Sequence, residues 1–267
     1  MRRAAPATAV AALLLAACGG AAGGFGGGPV SMPPTSAAPD AAPPRLTGSI
    51  TVLAAASLTD AFNELGRQFQ AAHPGIAISF SFGASSTLAQ QVKAGAPADV
   101  LATADEATMQ VAVAGGVAQP EVFARNRLAI LVARGNPKGV RDLADLARPD
   151  LVVVLCAAEV PCGRFGQQAL DKAGVKASPR SLEANVRGVV SKVALGEADA
   201  GIVYVTDVRA AGDRAEGVTI PDALNVVATY PIATVTATRN GSLAGGFVAY
   251  VRSPEGRQIL ATAGFQA

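Results

Sequence analysis

The chain has 267 residues, a formal net charge of +2, 50% hydrophobic and 4% aromatic residues, and a single His. That length can bury a sizeable core, as one large domain or as two lobes. A near-neutral balance without a basic stripe gives no case for nucleic acid as a partner, and so few aromatics leave no stacking platform for single strands.

The amino terminus reads as a targeting segment. Arg2 and Arg3 form a charged region, and residues 10–17 form an apolar stretch too short to span a bilayer. The stretch ends in Leu15-Ala16-Ala17-Cys18. This resembles the lipobox of bacterial lipoproteins, in which the Cys becomes the lipidated first residue after cleavage. An ordinary signal peptide with a chance Cys is the alternative. The residues flanking Arg2-Arg3 do not support twin-arginine export. Residues 1–17 are therefore expected to be a lipoprotein signal peptide, and residues 18–47, rich in Gly, Pro and Ala, a disordered tether. The chain would be extracytoplasmic, anchored to the cell membrane through Cys18. Cys156 and Cys162 then remain as a pair in an oxidising compartment, where a disulfide is the favoured reading and two free buried thiols the alternative. Their spacing does not suit a structural zinc site.

The folded part alternates strands and helices. Ser49-Ile50-Thr51-Val52-Leu53 reads as a buried strand, and Ser57 as the N-cap of a helix, with Asp60 completing a capping-box-like pair. Leu58, Ala61, Phe62, Leu65, Phe69 and Ala72 give that helix one apolar face. Residues 76–82 alternate as a strand, Gly83-Ala84-Ser85-Ser86 turns into a second helix, and residues 98–102 form a short strand, with Asp105 capping the next helix. Residues 126–132 form an apolar run long enough to cross to a second lobe. There, residues 140–146 predict a short helix and residues 151–155 a strand. Pro161-Cys162-Gly163 and Asn185-Val186 open two more helices, residues 200–204 form a strand, and Thr206-Asp207 caps its successor. Residues 226–235 could cross back, and residues 247–261 predict a terminal helix that Ser253-Pro254 either breaks or starts. The expectation is an α/β protein of two lobes, 48–127 with 234–267 and 128–233, with a ligand between them at the carboxyl ends of the strands.

Ser57, Ser85-Ser86, Cys162, Val186 and Tyr204 all stand where N–H or O–H groups face such a cleft. The first turn of a helix carries unpaired N–H groups and a positive dipole end, so these segments suit an anion. No Lys or Arg adjoins the first two serines, which makes the pocket polar but largely uncharged. A fully ionised oxyanion fits it better than one that keeps a proton and needs an acceptor.

The residues 50–61, Ile50-Thr51-Val52-Leu53-Ala54-Ala55-Ala56-Ser57-Leu58-Thr59-Asp60-Ala61, resemble the first strand and helix start of the periplasmic molybdate-binding proteins of ABC transporters. Phe82-Gly83-Ala84-Ser85-Ser86-Thr87-Leu88-Ala89, Gly95-Ala96-Pro97-Ala98-Asp99-Val100, Gly201-Ile202-Val203-Tyr204 and Ser253-Pro254-Glu255-Gly256-Arg257-Gln258-Ile259-Leu260 match that family in the same order. The resemblance implies a type II periplasmic binding protein fold, each lobe a mainly parallel sheet flanked by helices, with two hinge crossings. It implies closure on molybdate, and on tungstate, with delivery to an ABC-transporter permease by a monomer without a cofactor. It assigns ligand contacts to the hydroxyl and amide of Ser57 and Ser85, the amides of Cys162 and Val186, and the Tyr204 hydroxyl, with no direct metal ligand. Ser86 could replace Ser85 by one register. The family often has a small residue such as Ala where this chain has Cys162, so a contact there would be to the backbone N–H.

Competing readings remain. Ser57 could be only a cap, Tyr204 a rim residue and Val186 core. Arg164 and Arg187 read as solvated or structural, or as shaping the pocket's potential. Asp60, Asp99, Asp105 and Asp207 read as caps or strand-end residues. A receptor for another oxyanion such as sulfate has the same pattern. A lipoprotein hydrolase would need a base near its nucleophile. His73 lies at the far end of the helix that Ser57 begins, with a rise of about 1.5 Å per residue between them.

Overall fold

The computed structural model of the chain describes residues 46–267. The expected signal peptide, Cys18 and residues 18–45 of the expected tether lie outside the described residues. Leu46, expected in the tether, is partly buried against the core.

The elements run in chain order as β1 (Gly48–Ala55), a 3-10 turn (Ala56–Leu58), α1 (Thr59–Ala72), β2 (Ile76–Gly83), α2 (Ser85–Lys93), β3 (Val100–Ala102), α3 (Glu106–Val113) and the long β4 (Glu121–Ala133). Then come β5 (Val153–Cys156), α4 (Pro161–Ala173), β6 (Ser181–Glu183), α5 (Val186–Ala194), β7 (Ala200–Tyr204), α6 (Val205–Ala211), β8 (Ala215–Thr219), β9 (Val227–Thr234), α7 (Gly241–Val251) and α8 (Pro254–Ala263). The strands lie in the order β2-β1-β3-β9-β4-β7-β5-β6, with β8 paired to β4.

Two lobes result, each with a parallel set of strands: β2, β1 and β3 in the first, β6, β5 and β7 in the second. Strand β4 belongs to both. Its residues 121–127 pair with β9, and its residues 128–133 pair with β7 and β8, all antiparallel. The partner changes between Arg127 and Leu128. Residues 227–233, expected with the second lobe, lie in β9 and pair with β3 and the first half of β4, because the hydrogen-bond register continues there rather than in the second lobe's sheet.

The helical spacing of Ala61, Phe62, Leu65 and Phe69 buries one face of α1 as expected, with Leu58 buried in the turn before it, whereas Ala72, the last residue of α1, is exposed. Phe62 lies at its centre, with ring centroids 5.7 Å from Phe123, 6.1 Å from Phe247 and 6.3 Å from Phe80. Each of the buried rings, Phe62, Phe123 and Phe247, contributes roughly 1.5–3 kcal/mol of transfer free energy.

Other expectations change. Residues 140–146 do not form an α-helix. The Asp142 carboxylate accepts from the Ala144 and Asp145 amides and the Asn136 side chain brackets Val140, so only a 3-10 turn forms, over Ala144–Ala147. Short polar side chains that bond nearby backbone in this way compete with a helix. The terminal helix is two helices, α7 and α8. Ser253 caps the second by accepting the Gly256 N–H, with Pro254 in its first position. Ser57 is not an N-cap. It lies inside the 3-10 turn, α1 starts at Thr59, and its capping position, Leu58, makes no side-chain cap bond. The expected Ser57–Asp60 capping pair is thus absent, since the Thr59 hydroxyl tightens the turn by donating to the Ala56 carbonyl.

Cys156 ends β5 and Cys162 lies in the first turn of α4, and the two are joined by a disulfide with 5.8 Å between their Cα atoms. The turn between them is tight. A Cβ on Gly163 would come within 1.8 Å of the Ala157 carbonyl oxygen, so only glycine fits there.

Asp207 caps α6, its carboxylate accepting the Tyr204 N–H at 3.0 Å. It is buried, and burial pushes its carboxyl from 3.8 to about 7 against the pull of Arg187. Between these values the folded chain holds a proton that the unfolded chain has released. The group's contribution to stability is therefore fully present below about pH 4 and lost as pH rises through about 7. Asp207→Asn keeps an oxygen for the Tyr204 N–H and removes the ionisation. Melting temperatures from pH 5 to 8 are expected to decline less in this variant than in the parent; equal declines would contradict the assignment. Non-reducing peptide mass spectrometry of exported protein is expected to recover Cys156 and Cys162 cross-linked, and two free thiols there would contradict the bond.

Candidate functional site

The chain changes direction repeatedly between the lobes. The turn after β1 brings Ala56 and Ser57, the start of α2 brings Ser85, the start of α4 brings Pro161 and Cys162, the start of α5 brings Val186, and the end of β7 brings Tyr204. All of them line one cavity of about 20 Å³. A cavity this size suits a compact ion and is far smaller than the roughly 300 Å³ or more of pockets that enclose drug-sized ligands. Helices α2, α4 and α5 direct their amino ends toward it, so their first-turn N–H groups and positive dipole ends converge. No Lys, Arg, Asp or Glu is among its lining residues.

The structure therefore brings together the five residues singled out from the sequence, Ser57, Ser85, Cys162, Val186 and Tyr204, which lie in both lobes. Ser85 lines this cavity, whereas Ser86 lines a separate surface groove with Gln90 and Arg164. Asn185 positions the start of α5, its carboxamide oxygen accepting from the Arg187 and Gly188 N–H groups.

The hydroxyls have distinct partners. Ser85 Oγ accepts the Ala104 N–H at 3.0 Å. Ser57 Oγ lies 2.9 Å from the Tyr230 hydroxyl. Tyr204 is 1% exposed and its hydroxyl has no hydrogen-bond partner among the described residues. Its ring packs edge to face on Tyr230 with 6.0 Å between centroids, and no well-formed hydrogen bond joins the two hydroxyls. Burial pushes both phenols well above the usual tyrosine range, with the negative charge of Asp207 adding to the effect, so both stay protonated donors. An unpartnered buried hydroxyl costs about 1–3 kcal/mol.

Two ion pairs flank the cavity. Arg164, on α4, pairs with Asp105 and also donates to the Thr108 hydroxyl at 2.9 Å. Asp105 accepts the Thr108 N–H as the N-cap of α3, as its sequence position predicts. Arg187, on α5, pairs with Asp60 and donates from Nε to the Ala56 carbonyl at 3.3 Å. Its Nε also lies 4.0 Å from the buried Asp207 carboxylate. Both arginines come from the second lobe and both acceptors from the first. Neither arginine is merely solvated, and Asp60 and Asp105 hold the lobes together rather than serving only as caps. Sequence reasoning missed Tyr230 and Ala104. Ala104 precedes the α3 cap Asp105 but carries no polar side chain to mark it, and Tyr230 lies inside a strand, 173 positions from Ser57.

His73 closes α1 at its far end from the cavity, its ring 4.6 Å from that of Phe69. No helix of the described residues is long and apolar enough to cross a membrane.

Residues 50–266 match the family model described as bacterial extracellular solute-binding protein. The chain is 45% identical over 227 residues to the molybdate-binding protein ModA of Mycobacterium tuberculosis, covering 84% of this chain and 87% of that one. It is 32% identical over 230 residues to ModA of Escherichia coli, covering 82% and 89%. Among solved structures, the periplasmic molybdate-binding protein of Azotobacter vinelandii superposes with a TM-score of 0.70 at 21% identity, covering 82% of this chain and 99% of that one. The sulfate-binding protein SubI of Mycobacterium tuberculosis superposes at 0.74 and 23% identity, covering 82% and 86%, a likeness of fold. The chain thus belongs to the family of bacterial extracellular solute-binding proteins that includes the ModA proteins.

Proposed function

We propose that this chain binds molybdate, and also tungstate, outside the cytoplasm and delivers it to the permease of an ABC importer. It acts as a monomer, held at the membrane by lipid on Cys18. The observation that carries this reading is Tyr204, a lining residue of a neutral cavity of converging helix starts, whose buried hydroxyl has no hydrogen-bond partner among the described residues. A tetrahedral dianion supplies acceptors and no donors. The hydroxyls and amides of Ser57 and Ser85, the amides of Cys162 and Val186, and the Tyr204 hydroxyl are its proposed partners. Each hydrogen bond to a charged group contributes roughly 1.5–3 kcal/mol. Five or six can support micromolar affinity or better, which needs about 8 kcal/mol. The ModA names of the relatives at 45% and 32% identity support molybdate as the oxyanion.

The proposed cycle is closure of two lobes on the ion, with the closed form presented to the permease. The ion pairs Arg164–Asp105 and Arg187–Asp60 join the lobes beside the ligand and favour the closed form. Sulfate is smaller and would reach fewer of the donors at once.

Calorimetry with molybdate, tungstate, sulfate and phosphate tests the reading. Molybdate and tungstate are expected to bind at micromolar affinity or tighter and phosphate not to bind; tight sulfate binding with none for molybdate would overturn it. The contribution of the ion pairs is tested with Asp60→Asn. Asp60 is the exposed partner, its side chain 63% exposed, so the pair is partly screened. Exposed pairs contribute roughly 0.2–1 kcal/mol. Stopped-flow release of molybdate from the variant should be up to about five times faster, more so at low salt. An unchanged release rate would remove this pair from the closed state.

A further inference from the structure

Two of the three hydroxyls at the cavity already have a partner on the side away from it. Ser85 Oγ takes the Ala104 N–H, a group that can only donate. The Ser85 proton is therefore free for the cavity. Ser57 Oγ has the Tyr230 hydroxyl at 2.9 Å, and here either oxygen can donate. A hydroxyl has one proton. If Ser57 gave its proton to Tyr230, it would turn a lone pair toward the cavity and repel an anion. If Tyr230 donates to Ser57, the serine proton faces the cavity.

We propose that Tyr230 is a positioning residue of the binding site: it donates to Ser57 Oγ and so directs the Ser57 proton at the ligand. The inference rests on the oxyanion reading of the same cavity. The Tyr230 side chain is fully buried in β9, the strand beside the first-lobe half of β4. Phe123 and Phe265 hold its ring, with centroids 6.3 Å and 5.3 Å away, so its hydroxyl has a fixed direction. Burial keeps it protonated, hence a donor, over the whole working pH range. Ser57 and Ser85 then act alike. Each has an oxygen lone pair occupied from behind, by a phenol in one case and a backbone amide in the other, and each sends its proton forward. The arrangement also sets specificity. A ligand oxygen that carries a proton, as in hydrogen phosphate, meets only donors at both serines.

A double-mutant cycle with molybdate as the probe tests this. Ser57→Ala is expected to weaken binding at least tenfold, and Tyr230→Phe, which keeps the ring and removes one oxygen, about three- to tenfold. If Tyr230 acts through Ser57, adding Tyr230→Phe to Ser57→Ala changes the dissociation constant less than twofold. A role in packing alone would weaken both backgrounds by the same factor, and that result, or no effect of Tyr230→Phe in the parent, overturns the proposal. Melting temperatures confirm that each variant is folded. Should Tyr230→Phe alone not fold, the double variant, in which neither partner is left unpaired, is compared with Ser57→Ala: equal affinity supports the inference and a further loss overturns it. If the parent takes sulfate instead of molybdate, the function reading fails, and the same cycle is then read with sulfate.

Discussion

The constraint on which the structure depends is hydrogen-bond supply at a buried cleft. Tyr204 ends a strand, and its phenol is enclosed without a hydrogen-bond partner among the described residues. Around it, three helices of at least nine residues start, and helix starts are the one place where backbone N–H groups are not consumed by the helix itself. In most proteins such groups meet water or side chains. Here the Asn185 side chain takes two of them, and the helix starts that carry the rest line a cavity with no charged residue on its wall. A cationic side chain would bind an anion more strongly, but it would attract any anion. A cage of fixed neutral donors is selective by shape and by the protonation state of the ligand.

The same constraint explains where the charges lie. Arg164 and Arg187 stand beside the cavity, and each is occupied by a first-lobe carboxylate. Their charge is neutralised locally, so they join the lobes without turning the site into a general anion trap. Asp207 shows the other side of this balance. A carboxylate buried so near the donors would repel an oxyanion when ionised, and burial holds it protonated up to about pH 7. Strand β4 gives the lobes a common element. It changes partners at Arg127–Leu128, so the two sheets are tied by one continuous backbone while their helix starts face each other.

How much of this was legible in the sequence depended on the range of each interaction. Strand β1, helix α1 and the short strand β3 follow from local periodicity, with small differences at their boundaries. The five cavity residues were legible because each lies at a strand end or helix start, a local pattern, and because their segments match a family in order. Helix starts also misled: Ser57 before an apolar run has the pattern of a cap, yet its oxygen is turned to Tyr230 instead. The pairs Ser57–Tyr230, Arg187–Asp60 and Arg164–Asp105 join residues 173, 127 and 59 positions apart. No local pattern encodes them. The three-residue β6 and the weakly apolar β8 were missed because sheet pairing, not propensity, makes them strands.

Pre-organisation then arises from the covalent geometry of one turn. The Cys162 amide can serve as a ligand donor only if α4 starts at a fixed place relative to β5. Three features fix it. Pro161 in the first helical position sets the backbone angle at the entry, the Cys156–Cys162 bond ties the turn to the end of β5, and the missing side chain of Gly163 lets the helix start close against the Ala157 carbonyl. Cys162 therefore contributes two things through different atoms. Its sulfur is committed to the fold, and its N–H is the atom proposed as the ligand donor, so the two roles do not compete. A donor whose position is settled before the ligand arrives needs no ordering on binding, and that saved entropy appears as affinity.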